Sequence, residues 1–145
     1  MAQSVEAPPI KAITELHLPE YESMVLPNGM QLYALKGGSE PVMKMELVFR
    51  AGASYESKSG VAEFMAGLMS EGTRSMSSVE LAEKIESLGA SVFTRGGVDT
   101  VRVRLLTLTR YFPDLIGVVH EVINAPAFDA NELKVYADNK VERLK

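Results

Sequence analysis

The sequence predicts an α+β domain: an antiparallel or mixed sheet with helices packed on one face. Two observations lead there. Segments of period-two hydrophobicity come in pairs joined by short turns, and these pairs alternate with segments of helical period. A third observation is length, since 145 residues suit one domain with a real core and leave too little chain for two comfortable ones.

The elements follow in order. Residues 1–21 carry Pro8, Pro9, Pro19 and an isolated His17 with little apolar periodicity, and read as an N-terminal arm. Residues 22–145 read as a single domain. Met24, Val25 and Leu26 lead through Pro27-Asn28-Gly29, a strong turn, into a second strand over 30–35. Met43, Met45, Leu47 and Phe49 then alternate with Lys44, Glu46, Val48 and Arg50, which predicts a half-buried strand.

In residues 60–73 the apolar Val61, Phe64, Met65, Leu68 and Met69 recur at helical spacing and predict one buried stripe. Glu63, Gly67 and Glu71 lie four residues apart on a second face. A glycine inside a helix costs about 1 kcal/mol against alanine, and the simplest reason for Gly67 is close approach of another element. Ser77 or Ser78 caps the next helix, with Ser77 and Glu80 in capping-box spacing and Leu81, Ile85 and Leu88 inward.

Residues 91–95 read as a strand, turned at Gly96-Gly97 into a return strand over 100–108. Val101, Val103 and Leu105 alternate there with Arg102 and Arg104, read as a solvated positive face. Thr109 or Pro113 opens a third helix, with Tyr111, Phe112, Leu115, Ile116, Val119, Val122 and Ile123 inward. His120 and Glu121 are helical neighbours and do not face each other, which argues against a metal pair. Asp129 and Glu132 begin a fourth helix that runs to Lys145 without a stop signal, the pattern expected of a fragment.

Composition excludes several classes of function. The chain is 46% hydrophobic and 23% charged, with 15 basic and 19 acidic residues and no basic run of the kind that binds nucleic acid. It has no cysteine, so no disulfide or thiolate metal site. No apolar run approaches the roughly 20 residues that span a bilayer. There is no G-x-S-x-G elbow and no phosphate loop; Gly37-Gly38 and Gly96-Gly97 read as turns.

Residues 60–73, G-V-A-E-F-M-A-G-L-M-S-E-G-T, resemble the metal helix of the insulinase/pitrilysin family of inverted-motif zinc peptidases, G-x-A-H-x-x-E-H-x-x-x-x-G-T. Gly60, Ala62, Gly72 and Thr73 keep the frame. The histidine positions hold Glu63 and Gly67, and the general-base position holds Ala66. Leu26-Pro27-Asn28-Gly29-Met30, Phe49-Arg50-Ala51-Gly52 with Tyr55-Glu56, Leu88-Gly89-Ala90, and Pro126-Ala127-Phe128 with Glu132-Leu133 resemble further family stretches in the same order.

The resemblance implies a third zinc-ligand position near Arg143, next to Glu142, and a substrate-laying strand around Val92, Phe93, Thr94 and Arg95. It also implies a first half of a subunit with no metal or cofactor of its own. Such a subunit would pair with a catalytic zinc subunit or with its own second half, and would help to hold a peptide. A periplasmic place follows from bacterial relatives of this kind. Two other readings stay open: a purely structural subunit of a larger complex, and an active peptidase with a shifted motif. Apolar surface left uncovered in a half-subunit would also allow self-association.

Overall fold

A computed structural model describes residues 18–143 and 145. The expected arm, with His17, lies for the most part outside the described residues. By compactness the chain divides into two units, Met1–Glu40 and Pro41–Lys145. The first hairpin, read from sequence as part of one domain over 22–145, falls in the first unit.

In that unit β1 (Glu22–Val25) pairs antiparallel with β2 (Gln31–Ala34), Glu22 opposite Ala34 and Val25 opposite Gln31. The turn closes with the Gly29 amide donating to the Leu26 carbonyl at 2.8 Å. The Asn28 side-chain oxygen accepts from the Met30 amide at 3.1 Å, the local side-chain bond that makes Asn a turn former.

The second unit is built on β3 (Val42–Phe49), β4 (Ser91–Gly96) and β5 (Val101–Leu108), antiparallel in the order β3-β5-β4. On β5, Val101, Val103, Leu105 and Thr107 are buried and the residues between them point away from the core. Four helices complete the unit: α1 (Val61–Met69), α2 (Ser78–Glu86), α3 (Phe112–Asn124) and α4 (Ala130–Glu142). The core joins the inner face of β5 to Met69 of α1, Leu81 and Ile85 of α2, and Leu115, Val118, Val119 and Val122 of α3. The fold is thus α+β with one covered sheet face, and every described strand pairing is antiparallel.

The helix ends follow from local chemistry. Ser77 accepts from the Glu80 amide while the Glu80 side chain reaches back to the Ser77 amide, the expected capping box. Asp129 accepts from the amides of Asn131 and Glu132 and caps α4. α1 has no capping side chain of its own; Glu56 supplies one, its two oxygens accepting from the amides of Gly60 at 2.7 Å and Ala62 at 2.8 Å. Gly96 belongs to β4 rather than to the turn, which spans residues 97–100 with the Gly97 amide bonded to the Thr100 carbonyl.

The apolar stripes need correction in two helices. On α1 the buried residues are Ala62, Ala66, Leu68 and Met69, whereas Val61 is 49% exposed. The reason is β4, which approaches so closely that a Cβ on Gly96 would lie 2.6 Å from the Ala62 carbonyl oxygen. Only small residues fit such a contact, so the alanines face the sheet and the larger apolar side chains flank it. On α3, Leu115, Val119 and Val122 are buried as expected, Val118 joins them and Ile116 is 42% exposed, because the stripe at i, i+3, i+4 and i+7 from Leu115 includes position 118 and leaves 116 off it.

These contacts predict opposite effects at two glycines. Gly96→Ala must push β4 off α1 and should cost about 1–3 kcal/mol. Gly117→Ala, in open space inside α3, should stabilise by up to about 1 kcal/mol. Urea denaturation of both variants checks the contrast, and equal effects would remove the close-contact argument.

Candidate functional site

The row Glu63, Gly67 and Glu71 faces α4. Glu63 forms an ion pair with Lys140. Gly67 lies beneath the ring of Tyr136, so that a Cβ there would come within 2.4 Å of the ring. Glu71 is close enough to Glu132 for the two carboxylates to repel. Residues 132, 136 and 140 step back along α4 as 63 and 67 step forward along α1 and 71 continues just past its end, so the two helices run antiparallel and meet rung by rung. Phe64 adds an edge-on contact with Tyr136, ring centroids 5.2 Å apart. Gly67 is therefore explained by close approach, and the element that approaches is α4.

The connector between α3 and α4 sets this register. The Arg74 amide donates to the Ala125 carbonyl and the Ala127 amide to the Gly72 carbonyl, with Thr73 bridging to Pro126. Thr73 is buried, and its hydroxyl bonds Glu121 of α3 at 3.2 Å. The Ser75 hydroxyl donates to the same carboxylate at 2.5 Å and, with the help of Thr73, holds it below its ordinary pKa. Glu121 is thus engaged away from the exposed His120. The chain leaving α1 and the chain entering α4 are stitched together where the two helices begin to face each other.

Ala66 is 0% exposed, and its carbonyl accepts a 2.5 Å hydrogen bond from the Thr94 hydroxyl of β4. Thr94 is therefore turned inward and held by α1, and Val92 packs against the core. Of the four residues proposed to meet substrate, Phe93 and Arg95 point outward; Phe93 is 55% exposed. Arg143 is exposed at the C-terminal cap of α4, just past the last helical residue. Tyr136 and Lys140 escaped the sequence reading, and Glu132 entered it only as part of the start of the fourth helix, although their spacing of four matches that of Glu63, Gly67 and Glu71.

The outer face of the sheet is charged. Glu46 of β3 pairs with Lys44, Arg102 and Arg104. Burial would raise its pKa, but the bonds and charges of Arg104 and Lys44 hold it below the ordinary value. An apolar cavity of about 450 Å³ opens elsewhere in the unit, lined by Phe49, Met65, Met69, Val101, Ile123 and Phe128 among others, and no carboxylate or imidazole reaches it.

The residues at the motif positions do not fit a catalytic zinc, which takes about three protein ligands and an open position for water. Glu63 is engaged by Lys140, Gly67 has no side chain and its space is filled by a ring, and Ala66 can neither accept nor give a proton. Among the described residues no group of three or more His, Cys, Asp or Glu is placed to hold a metal ion.

An α+β domain that keeps the frame of an inverted-motif metal helix and gives its ligand row to helix packing defines a class, the metallopeptidase-type domain with a substituted motif. The chain belongs to the family Insulinase (Peptidase family M16), whose profile matches residues 34–144. It is 27% identical over 96 residues to a Helicobacter pylori protein named Non-peptidase homolog YmxG, covering 65% of this chain and 22% of that protein. Its fold is similar to the peptidase M16 inactive domain from Pseudomonas fluorescens, with a TM-score of 0.77, 21% identity, and 82% of this chain and 30% of that one covered. A protease from Helicobacter pylori matches with a TM-score of 0.68 and 20% identity over 79% of this chain and 28% of that one. The chain thus spans less than a third of each of these relatives.

Two predictions follow from the α1–α4 contact. Gly67→Ala should destabilise the protein, whereas in a Tyr136→Ala background the same change should stabilise it by up to about 1 kcal/mol, the ordinary helix preference. A double-mutant cycle by urea denaturation reads the change of sign. Glu71 supplies the second: burial first and Glu132 second raise its pKa above 4.5. The folded state then holds the proton more tightly, so stability falls as pH rises through the folded value. Glu71→Gln should raise the melting temperature at neutral pH, and the gain should vanish below about pH 4.5, the ordinary value.

Proposed function

We propose that this chain is a catalytically inactive part of a peptidase-family subunit. Its role is to assemble with an active zinc-bearing partner and to help hold an extended peptide. One observation carries the reading: the α1 row that would have to present metal ligands is occupied by α4 through Tyr136 and Lys140, with Ala66 at the base position. Hydrolysis needs a proton acceptor beside the attacking water, and an alanine methyl cannot be one. The names of two relatives, a non-peptidase homolog and an inactive domain, support the same conclusion.

The recognition half of the proposal draws on β4. It is an edge strand, and among the described residues its main-chain groups make no hydrogen bonds beyond its own sheet. Such an edge accepts an extended peptide as an added strand. β4 is also held firmly, since Gly96 and Thr94 lock its inner side against α1.

The chain equilibrated with excess zinc and desalted should retain far less than one zinc per molecule and cleave no peptide. Stoichiometric zinc with cleavage would overturn the reading. Expressed in its full-length context, it should co-purify with a zinc-bearing relative, and the pair should cleave peptides that neither cleaves alone. A stable pair without peptide affinity would leave assembly alone and remove recognition.

A further inference from the structure

We infer that the outer face of the sheet beside β4 selects peptides that carry a carboxylate and, two residues away, a large apolar side chain. The inference rests on the proposed peptide-binding role of the β4 edge and names the class of sequence that edge would take.

Residues two apart on a strand share a face, so Ser91, Phe93 and Arg95 of β4 share the outer face. Their partners in register on β5 are Leu106, Arg104 and Arg102. Arg95 therefore stands directly opposite Arg102, and like charges in that arrangement destabilise a sheet. On the β3 side Glu46 offsets the cost by pairing with Arg102 and Arg104. No carboxylate does so for Arg95 among the described residues.

Among the described residues Arg95 is thus the cation of this face without a carboxylate partner, and it adds to the excess of positive charge that Lys44, Arg102 and Arg104 hold against the single Glu46. It flanks a shallow cleft of about 440 Å³ together with Phe93, Arg102, Arg104, Asp99 and Thr100. Asp99 is the one acid on that rim, and it accepts a hydrogen bond from the Ser54 hydroxyl at 3.2 Å.

A strand added to β4 lays alternate side chains on this same face, one directly beside each of Arg95 and Phe93. A carboxylate beside Arg95 would gain a charge-assisted hydrogen bond and relieve the repulsion from Arg102. The side chain two residues along would cover the exposed ring of Phe93. A basic residue at the first position would add a third cation to the Arg95–Arg102 pair. Charge and register together give the pattern, acidic then apolar at a spacing of two in either direction.

The test is fluorescence anisotropy of labelled extended peptides that differ at one position, Glu-x-Phe, Gln-x-Phe and Lys-x-Phe, titrated with the whole chain at low salt. Glu should bind about fivefold more tightly than Gln, with Lys weakest, and the spread should narrow as salt rises. Arg95→Gln should abolish the preference for Glu over Gln, and Arg95→Glu should invert the order. Lys58→Glu, an equal charge change on an exposed loop residue, should leave the order as it was. Replacing the peptide Phe by Ser should weaken binding to the unaltered chain and matter less in Phe93→Ser. Equal binding of all three peptides, unaffected by Arg95→Gln, overturns the selection while leaving an edge that binds peptide. No binding by any peptide removes both.

Discussion

The antiparallel seating of α4 on α1 is the contact from which the rest of the site follows, and its three rungs are unequal. The Glu63–Lys140 pair is 46 and 33% exposed, where such pairs contribute about 0–1 kcal/mol. Glu71 and Glu132 oppose each other. The middle rung decides the balance: seating much of an aromatic ring contributes about 1.5–3 kcal/mol, against the roughly 1 kcal/mol that Gly67 costs the helix. α4 has no buried residue of its own, so its seat depends on these partly exposed rungs, Tyr136 in its notch above all, and on the stitched connector that leads into it.

The same volume cannot serve two purposes. An imidazole at position 67 would need the space of the Tyr136 ring, and a metal beside Glu63 would have to displace the Lys140 ammonium. A zinc ion held by ligands from two helices cross-links them; here an aromatic ring and an ion pair hold the two helices instead. The replacement is self-consistent, because removing the second histidine leaves the notch that the ring requires. The stitching of residues 72–74 to 125–127 keeps the two helices in register without any metal.

Most elements were legible because their signals are local. The Asn28-Gly29 turn, the Ser77–Glu80 box, the Asp129 cap and the alternation on β3 and β5 each depend on residues a few positions apart. What stayed hidden depends on contacts between distant segments. Ala62 and Ala66 look neutral in a hydrophobic pattern, yet they are buried because Gly96 lets β4 come close. Thr94 reads as an ordinary strand residue until its hydroxyl is seen on the Ala66 carbonyl. Gly67 pointed to a close neighbour but not to which one, since the matching spacing on α4 gains meaning only once the helices are antiparallel. The Arg95–Arg102 repulsion likewise exists only at one strand register, and a slip of a single residue would dissolve it.

α1 is gripped on two sides, by β4 through Ala62, Ala66 and Thr94 and by α4 through Gly67. A displacement of α4 is therefore felt at β4 through a helix that has little freedom to absorb it, since packed interiors transmit strain rather than yield. This gives the substituted motif a physical role even without chemistry. By fixing α1, the Tyr136 contact fixes the inner side of an edge strand whose outer side is open. An edge held rigid before a peptide arrives loses less entropy on binding than one that must be ordered at that moment. If β4 takes a peptide as proposed, the packing that stands where metal ligands would be serves that recognition.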